Sequence, residues 1–275
     1  MPPKALPSSF RGLADRPPMT SQHLRVLGEH MSNEKQVRSE ISEFINRDGL
    51  VMFNKEKSDG NDAPHKTGFY IAGLVSKGWL NDEDVALFIN ALDSITTRDG
   101  RLLRHENTKL PFEPRLFWQP SSRDQYQAVF AALGLCWQIK GHRAAQSLAL
   151  SYYREIRWAR LFNRIPMCSK DILSPQHWYM FGLCVGLPQA NWFKQLAGVS
   201  EVVSALFAIT RDRGGPTNIL SYLRLITVAA FGASSYFHTL ARRILDSKFS
   251  FEDDMTLYWT RQGGPPIHKL FLGEE

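Results

Sequence analysis

The sequence has only three cysteines, and none is placed to form a pair. Cys136, Cys168 and Cys184 are too far apart along the chain for a Cys-x-x-Cys metal or redox motif. An odd number of cysteines is also a poor disulfide framework, so we expect reduced thiols and folding in a reducing cytoplasm. Zinc is not expected either, because the histidines of the second half have no partner at His-x-x-x-His spacing.

An uninterrupted apolar run of the ~20 residues that cross a bilayer is also lacking. The nearest candidate, residues 225–240, contains Thr227, Ser234 and His238, and we expect it to be a buried helix. Residues 1–30 lack the continuous apolar core of a secretory signal. We therefore predict no membrane insertion.

Sequence signatures of nucleotide, flavin, haem and metal sites are missing as well. The Gly-Gly-Pro turns at 214–216 and 263–265 are not followed by the Gly-Lys-Ser/Thr of a phosphate-binding loop. The acidic stretch at 59–62 has neither the alternating spacing nor the later Glu of a calcium loop. We expect neither a cofactor nor a metal.

The charge of the chain is nearly balanced. Lys and Arg number 33 against 27 Asp and Glu, a net charge of +6 over 275 residues, and this excess alone does not imply nucleic acid. Arg154, Arg157 and Arg160 recur at helical spacing and are candidate partner-binding residues. They would contact phosphates in a nucleic-acid-binding helper, but the pattern is more typical of a solvated basic helix face.

Periodicity of 3.6 residues dominates the chain from residue 33 onward, and strand patterns are scarce. Asn81 precedes three acidic residues, Ser122-Arg123-Asp124-Gln125 forms a capping box, and Ser174-Pro175 begins another helix. Later helices are predicted at 189–197, 200–212, 217–246 and 251–260. The predicted fold class is mainly α, with helical hairpins packed as a bundle or as a partial α/α toroid.

Prolines punctuate residues 1–32, which we expect to form an extended N-terminal arm. Leu6, Phe10 and Leu13 of this arm are candidate contacts with a partner, because they are too few to form a core of their own. Residues 33–275 are predicted to be a single helical domain, with a subdivision near 141–170 left open.

Two Asp-Gly turns, at 48–49 and 99–100, each follow a predicted helix about fifty residues apart. Asp-Gly is a common helix stop, and the same pair of turns would also arise from two units of a helical-hairpin repeat. Both interpretations stay open.

Polar residues of the first half gather in three loops that precede or join helices. These loops supply the candidate catalytic residues Asp59, Asp62, Arg104, His105 and Asp124. If hairpins pack around a centre, loops at one end converge, and two carboxylates with Arg and His nearby could process a glycan by acid–base catalysis. The structural alternative is a salt bridge between Asp124 and Arg104.

The same loops resemble a group of uncharacterised proteins encoded by bacteriophages. The resemblance rests on residues 59–68, on Asp-Gly-Arg-Leu-Leu-Arg-His at 99–105 and on Ser-Arg-Asp-Gln at 122–125. The Ser-Arg-Asp-Gln element and the hairpin spacing are also distantly similar to six-hairpin, glycosidase-like toroids.

This resemblance implies phage origin. For a protein of that origin we predict a structural component of the virion, tail-associated, made in the reducing cytoplasm of a bacterial host. Its partners would be other virion proteins or further copies of itself, contacted through the extended termini. The alternative that it implies is an α/α-toroid hydrolase that acts on a host surface glycan through loop carboxylates.

Overall fold

The computed structural model describes residues 33–57, 62–97, 100–103, 121–162, 173–210, 216–260 and 264–272. Over these residues the protein has ten α-helices and no strand beyond two isolated bridges, which confirms the mainly α prediction. The expected arm at 1–32, with Leu6, Phe10 and Leu13, lies outside the described residues.

The chain divides after Ser39 into two compact units. In the described part of the first unit, residues 33–39 are helical, and Arg38 Nε lies 2.7 Å from Glu34 Oε1. The helices of the chain are α1 (33–42), α2 (Ala63–Ser76), α3 (Asp82–Ser94), α4 (Arg123–Lys140), α5 (Arg143–Phe162), α6 (Pro175–Cys184), α7 (Asn191–Thr210), α8 (Pro216–Ala230), α9 (Tyr236–Asp246) and α10 (Phe251–Thr260), followed by a 3-10 turn at Ile267–Leu270.

Helix α4 is the centre of the second unit. Every residue from Gln125 to Cys136 is buried, because α2, α5, α6 and α8 all pack against this helix. Its Phe130 stacks on Phe181 of α6 with ring centroids 4.2 Å apart. A helix that is enclosed on all sides needs apolar residues around its whole circumference, which explains its weak amphipathic pattern.

Helices α2, α4 and α8 run parallel, with their N-terminal ends on one side. A Cβ added to Gly68, the sixth residue of α2, would lie 2.6 Å from the carbonyl carbon of Ala128, the sixth residue of α4. Gln127 and Leu220 are the fifth residues of α4 and α8, and Gln127 Nε2 donates to the Leu220 carbonyl at 2.6 Å. A second contact for each pair fixes the direction: Asp62, before α2, meets Gln125 of α4, and Trp137 of α4 lies 6.3 Å, between ring centroids, from Phe231 just after α8.

Two of the predicted helix boundaries are wrong, and a glycine explains each. Helix α7 is continuous where two helices were expected, because Gly198 is a packing site: a Cβ there would lie 2.6 Å from Ser235 Oγ. The single helix expected at 217–246 is divided into α8 and α9, since Gly232 adopts a φ of +63° and Ser235 is the N-cap of α9.

The segments around Gly49 and Gly100, as far as they are described, share their local structure. An isolated antiparallel bridge joins Ile45 to Val51 in the first and Thr96 to Leu102 in the second. The glycine of each turn has a positive φ, 88° and 83° respectively. The two segments are therefore equivalent helix–turn units, 51 residues apart.

Candidate functional site

Polar side chains gather where the N-terminal ends of α2, α4 and α6 meet. Asp62 is the N-cap residue of α2, Asp124 is the second residue of α4, and His177 is the third residue of α6. The first turn of a helix exposes backbone N–H groups and carries about half a positive elementary charge. This end of the helices therefore favours carboxylates and other oxygen acceptors.

Asp62 occupies the N-cap position of α2, but its side chain does not cap the helix. Its side chain makes no bond to the helix backbone, and Asp62 Oδ1 instead accepts from Gln125 Nε2 at 2.9 Å. Gln125 Oε1 in turn accepts from the backbone N–H of Ser122, the predicted N-cap of α4, at 3.3 Å. Asp62 thus connects the start of α2 to the start of α4.

Asp124 forms an ion pair with its neighbour Arg123, with 3.2 Å between Oδ1 and Nε. Both side chains are partly exposed, at 45% and 36%. The other three candidate catalytic residues, Asp59, Arg104 and His105, lie outside the described residues. The structure therefore brings Asp62 and Asp124 to the same end of the fold, and the expected bridge between Asp124 and Arg104 stays a prediction.

His65, in the first turn of α2, is buried beside both carboxylates. Its pKa is lowered to about 4, chiefly by burial and also by the Lys66 ammonium, while Asp62 and Asp124 act in the opposite direction. Its ring lies 4.8 Å from that of Phe69. At neutral pH, His65 is therefore an uncharged imidazole in an aromatic environment.

A polar pocket of about 180 Å³ lies between α4, α6, α7 and α8. Asp124 and Arg123 lie on its α4 side, Ser174 and His177 on its α6 side, and Ser204 and Arg224 on the sides of α7 and α8. Only Asp124 of this set was a predicted site residue; Arg123 is its chain neighbour, and the other residues come from helices that are distant along the chain.

Arg224 is held by a buried network at this pocket. Its Nε and Nη2 donate to the two carboxylate oxygens of Glu201 at 2.5 and 2.9 Å. Nη1 donates to Gln127 Oε1 at 2.9 Å, and Nη2 also donates to Ser221 Oγ at 3.0 Å. Arg224 and Glu201 are only 5% and 3% exposed, so each charge depends on the other. The isolated charges within apolar helical segments were the sequence signal that could have identified this pair.

His177 has one ring nitrogen without a partner among the described residues. Its Nδ1 lies 2.6 Å from Ser174 Oγ, whereas Nε2 is buried and makes no hydrogen bond. Burial lowers the pKa of His177 well below its usual value, and the Arg224 and Arg123 guanidinium groups lower the pKa further. The ring is thus neutral, with a nitrogen that can donate or accept.

Helix α7 exposes a row of large apolar side chains. We call this row the α7 stripe; it consists of Trp192, Leu196, Val199, Val203, Leu206 and Phe207, each at least 41% exposed. The opposite face of α7 is buried against neighbours that include α6 and α9. This surface was not predictable from the sequence, because apolar residues at helical spacing are equally typical of a core.

By length and composition, α7 is also the helix that could cross a membrane among the described residues. The mean hydropathy of its best 18-residue window is 1.2, and 28% of that window is buried. Its Glu201 is one of the buried residues and is paired with Arg224 of α8.

The basic face predicted on α5 is described only in part. Arg154 is exposed, whereas the side chains of Arg157 and Arg160 lie outside the described residues. Tyr152 of the same helix is fully buried, and its hydroxyl lies 2.7 Å from Thr96 Oγ1.

Within the described part of the chain, no group of three or more His, Cys, Asp or Glu side chains is arranged to hold a metal ion. Comparisons of the chain with protein-family models, curated proteins and solved structures found no match.

Proposed function

We propose that the protein is a structural component of a bacteriophage virion, tail-associated, and that it assembles through the α7 stripe. The exposure of this stripe is the observation that carries the proposal. The phage setting rests on the resemblance of residues 59–68, 99–105 and 122–125, and the expected arm at 1–32 would add a second contact.

The stripe is long and continuous enough to be a protein-binding surface. From Trp192 to Phe207 it runs about 22 Å along the helix, at about 1.5 Å per residue. Trp192 is 67% exposed and Val203 is 61% exposed. Contiguous apolar patches of this kind mark sites of interaction, whereas scattered exposed apolar residues do not.

A second copy of the chain is the partner that suits this surface best. Residues 192, 196, 199, 203 and 206 follow the alternating four- and three-residue spacing by which helices pair with one another. The stripe contains no charged side chain, so two copies would meet without repulsion between like charges. The two charged residues of α7 are Lys194 and Glu201, and neither belongs to the stripe.

For the fold, we infer a partial α/α toroid. The order of packing supports this arrangement: α2 packs on α4, α4 on α6, α6 on α8 and α8 on α10. The equivalent turns after Ile45 and Thr96 support a repeated hairpin at the start of the series.

The test is the presence of the chain in purified phage particles. Mass spectrometry of particles made with the wild-type chain should detect it in stoichiometric amounts. Val203→Lys, which places a charge within the stripe, should reduce its incorporation strongly. Leu87→Lys is the matched control, because Leu87 is 53% exposed on α3 and is not part of the stripe. Absence of the wild-type chain from particles would contradict the proposal.

A glycan-processing hydrolase is the second candidate, favoured by the position of Asp62 and Asp124 at one end of the helices. Both carboxylates act electrostatically on His65 and on Tyr258. Under this hypothesis, Asp124→Asn should abolish cleavage of a host surface glycan and leave the melting temperature almost unchanged. Retention of cleavage by the variant would exclude Asp124 from catalysis.

A further inference from the structure

We propose that His238 makes the start of α9 sensitive to pH: in mild acid, protonation of its ring releases the start of α9 from α7. This inference does not depend on the α7 stripe. It rests on the hydrogen bonds that cap the N-terminal end of α9 and on the contact of this cap with Gly198 of α7.

The first observation is that a histidine completes the capping box of α9. Ser235 is the N-cap residue, and its side chain accepts from the backbone N–H of His238. In return, Nδ1 of His238 accepts from the backbone N–H of Ser235 at 3.2 Å, and the same nitrogen lies 2.7 Å from Ser235 Oγ. A ring nitrogen can accept a hydrogen bond only while it carries no proton. The cap of α9 therefore requires the neutral imidazole.

The start of α4 has the same box without a titrating group. There Gln125 takes the position that His238 has in α9, and its Oε1 accepts from the backbone N–H of Ser122 at 3.3 Å. Glu and Gln are the usual residues at this position, and the amide of Gln does not change its charge in mild acid. His238 thus brings a proton-binding nitrogen to a position that a neutral group can fill.

The second observation is that the cap of α9 packs directly on α7. A Cβ added to Gly198 would lie 2.6 Å from Ser235 Oγ and 3.0 Å from His238 Nδ1. Ser235 and His238 are only 8% and 3% exposed. Because the cap lies within the contact between the two helices, its rearrangement would change how α9 packs on α7.

A proton on Nδ1 would disrupt this arrangement in two ways. The backbone N–H of Ser235 would lose its acceptor and would face a second donor, which leaves a buried polar group unsatisfied. The ring would also place a positive charge in the first turn of α9, where the helix dipole disfavours cations.

The groups around the ring hold it neutral near pH 7. Burial lowers the pKa of His238 below 6.5, Glu201 of α7 acts in the opposite direction, and Lys194 of α7 lowers the pKa. Glu201 is itself bound to Arg224 of α8. Tyr179 of α6 lies 5.6 Å from the imidazole between ring centroids and is uncharged, because burial raises its pKa to about 12.

The released start of α9 would bind a proton with the ordinary histidine pKa, whereas the packed start binds it less readily. As the pH falls below 6.5, the population of the released state should therefore rise, by up to about tenfold per pH unit, until the ring of the packed state is also protonated. Above pH 6.5 the cap should be intact.

Hydrogen exchange of the full chain, followed by mass spectrometry at about pH 7.5 and about pH 5.5, tests the proposal on both sides of the ordinary histidine pKa. After correction for intrinsic exchange rates, protection of the backbone amides at residues 238–241 should fall about three- to tenfold at the lower pH. Protection at the start of α4 should fall less, because Gln125 caps it. This comparison needs the wild-type chain alone, so it does not depend on the folding of a variant.

Two substitutions of His238 separate the proton from the cap. His238→Gln keeps an acceptor for the Ser235 N–H, so protection at the start of α9 should be the same at both pH values. His238→Ala removes the acceptor, so protection there should be low at both pH values.

His268→Gln is the matched control. The pKa of His268 is also lowered, but this residue lies in the 3-10 turn that packs on α2 and α10. This variant should lose protection at α9 in acid as the wild-type chain does. Equal protection of the wild-type α9 at both pH values, an equal loss at the start of α4, or a persistent loss in His238→Gln would each overturn the proposal.

Discussion

A buried ion pair connects α7 to α8 beside the polar pocket. Glu201 of α7 and Arg224 of α8 form an ion pair that is almost inaccessible to water, and Gln127 of α4 is a third partner. Removal of two charges from water is unfavourable, so such a pair adds little net stability compared with apolar residues. Loss of one partner is different, because it leaves the other charge buried and alone.

Glu201→Gln should therefore destabilise the protein by about 3 to 5 kcal/mol, since Arg224 would lose its counter-charge but keep its burial. Urea unfolding followed by circular dichroism measures the change. Glu43→Gln is the control: Glu43 pairs with Lys55 at the surface, with side chains 51% and 62% exposed, and loss of this pair should leave stability almost unchanged. Equal effects of the two substitutions would contradict this account of the network.

Buried neutral histidines should make stability fall in mild acid. The pKa of His65 is lowered from 6.5 to about 4 in the folded protein, so between these values the unfolded chain binds more protons than the folded one. Stability should be complete above pH 6.5 and should be lost as the pH falls toward 4, by up to about 1.4 kcal/mol per pH unit for one group. The lowered pKa values of His177, His238 and His268 act in the same direction.

Urea unfolding at several pH values between 4 and 7 tests this expectation. His65→Gln should reduce the pH dependence of the free energy of unfolding, whatever its effect on stability at neutral pH. An unchanged slope in the variant would show that His65 is not the group responsible.

At the scale of elements, the close contact of α2 with α4 depends on Gly68. A Cβ at this position would lie 2.6 and 2.7 Å from the backbone carbon and oxygen of Ala128. Backbone atoms of a central helix cannot move aside in the way that the end of a flexible side chain can. The absence of a side chain at residue 68 therefore determines how near the two helices approach.

Gly68→Ala should destabilise the protein by about 1 to 3 kcal/mol, because α2 must move away from α4. Gly182→Ala, also within a helix, is the control: the Cβ would meet the amide of Gln189, which can rotate away. Thermal unfolding of both variants measures the difference. Equal melting temperatures would contradict the argument from close packing.

Local signals predicted the helix starts well, and tertiary packing explains the errors. The helix start at Asn81 and the capping box at Ser122 were predicted correctly, since the hydrogen bonds that form such starts span only three residues. Gly198 and Gly232 could not be distinguished from sequence alone. Both interrupt an apolar pattern, and only the approach of α9 to α7 shows that Gly198 is a packing site within a helix.

The residues of the candidate site were predictable only where they lie in local sequence patterns. Asp62 and Asp124 were identified from motifs at helix starts, and the structure places both at one end of the helices. His177 and the pair of Arg224 with Glu201 belong to no local pattern, because they meet only when α6, α7 and α8 pack together.

At the scale of the whole molecule, the feature that matters most is the exposed α7 stripe. The α7 stripe is as apolar as a core helix face, yet Trp192 and Val203 are mostly exposed. Burial of apolar area contributes about 25 cal/mol per Å², so pairing of two stripes would be favourable. Because one helix supplies most of the contact, we expect an affinity in the micromolar range, weaker than that of a large obligate interface.

Sedimentation velocity of the purified chain over a micromolar concentration series tests this central claim most directly. The wild-type chain should shift from monomer to dimer as its concentration rises. Val203→Lys should raise the dimer dissociation constant at least about tenfold, because two lysines would be buried at the pairing surface. Leu87→Lys, at a residue of similar exposure on α3, should sediment as the wild-type chain does. A wild-type chain that stays monomeric throughout the series, or a Val203→Lys variant that dimerises equally well, would contradict the claim that the α7 stripe binds a second copy.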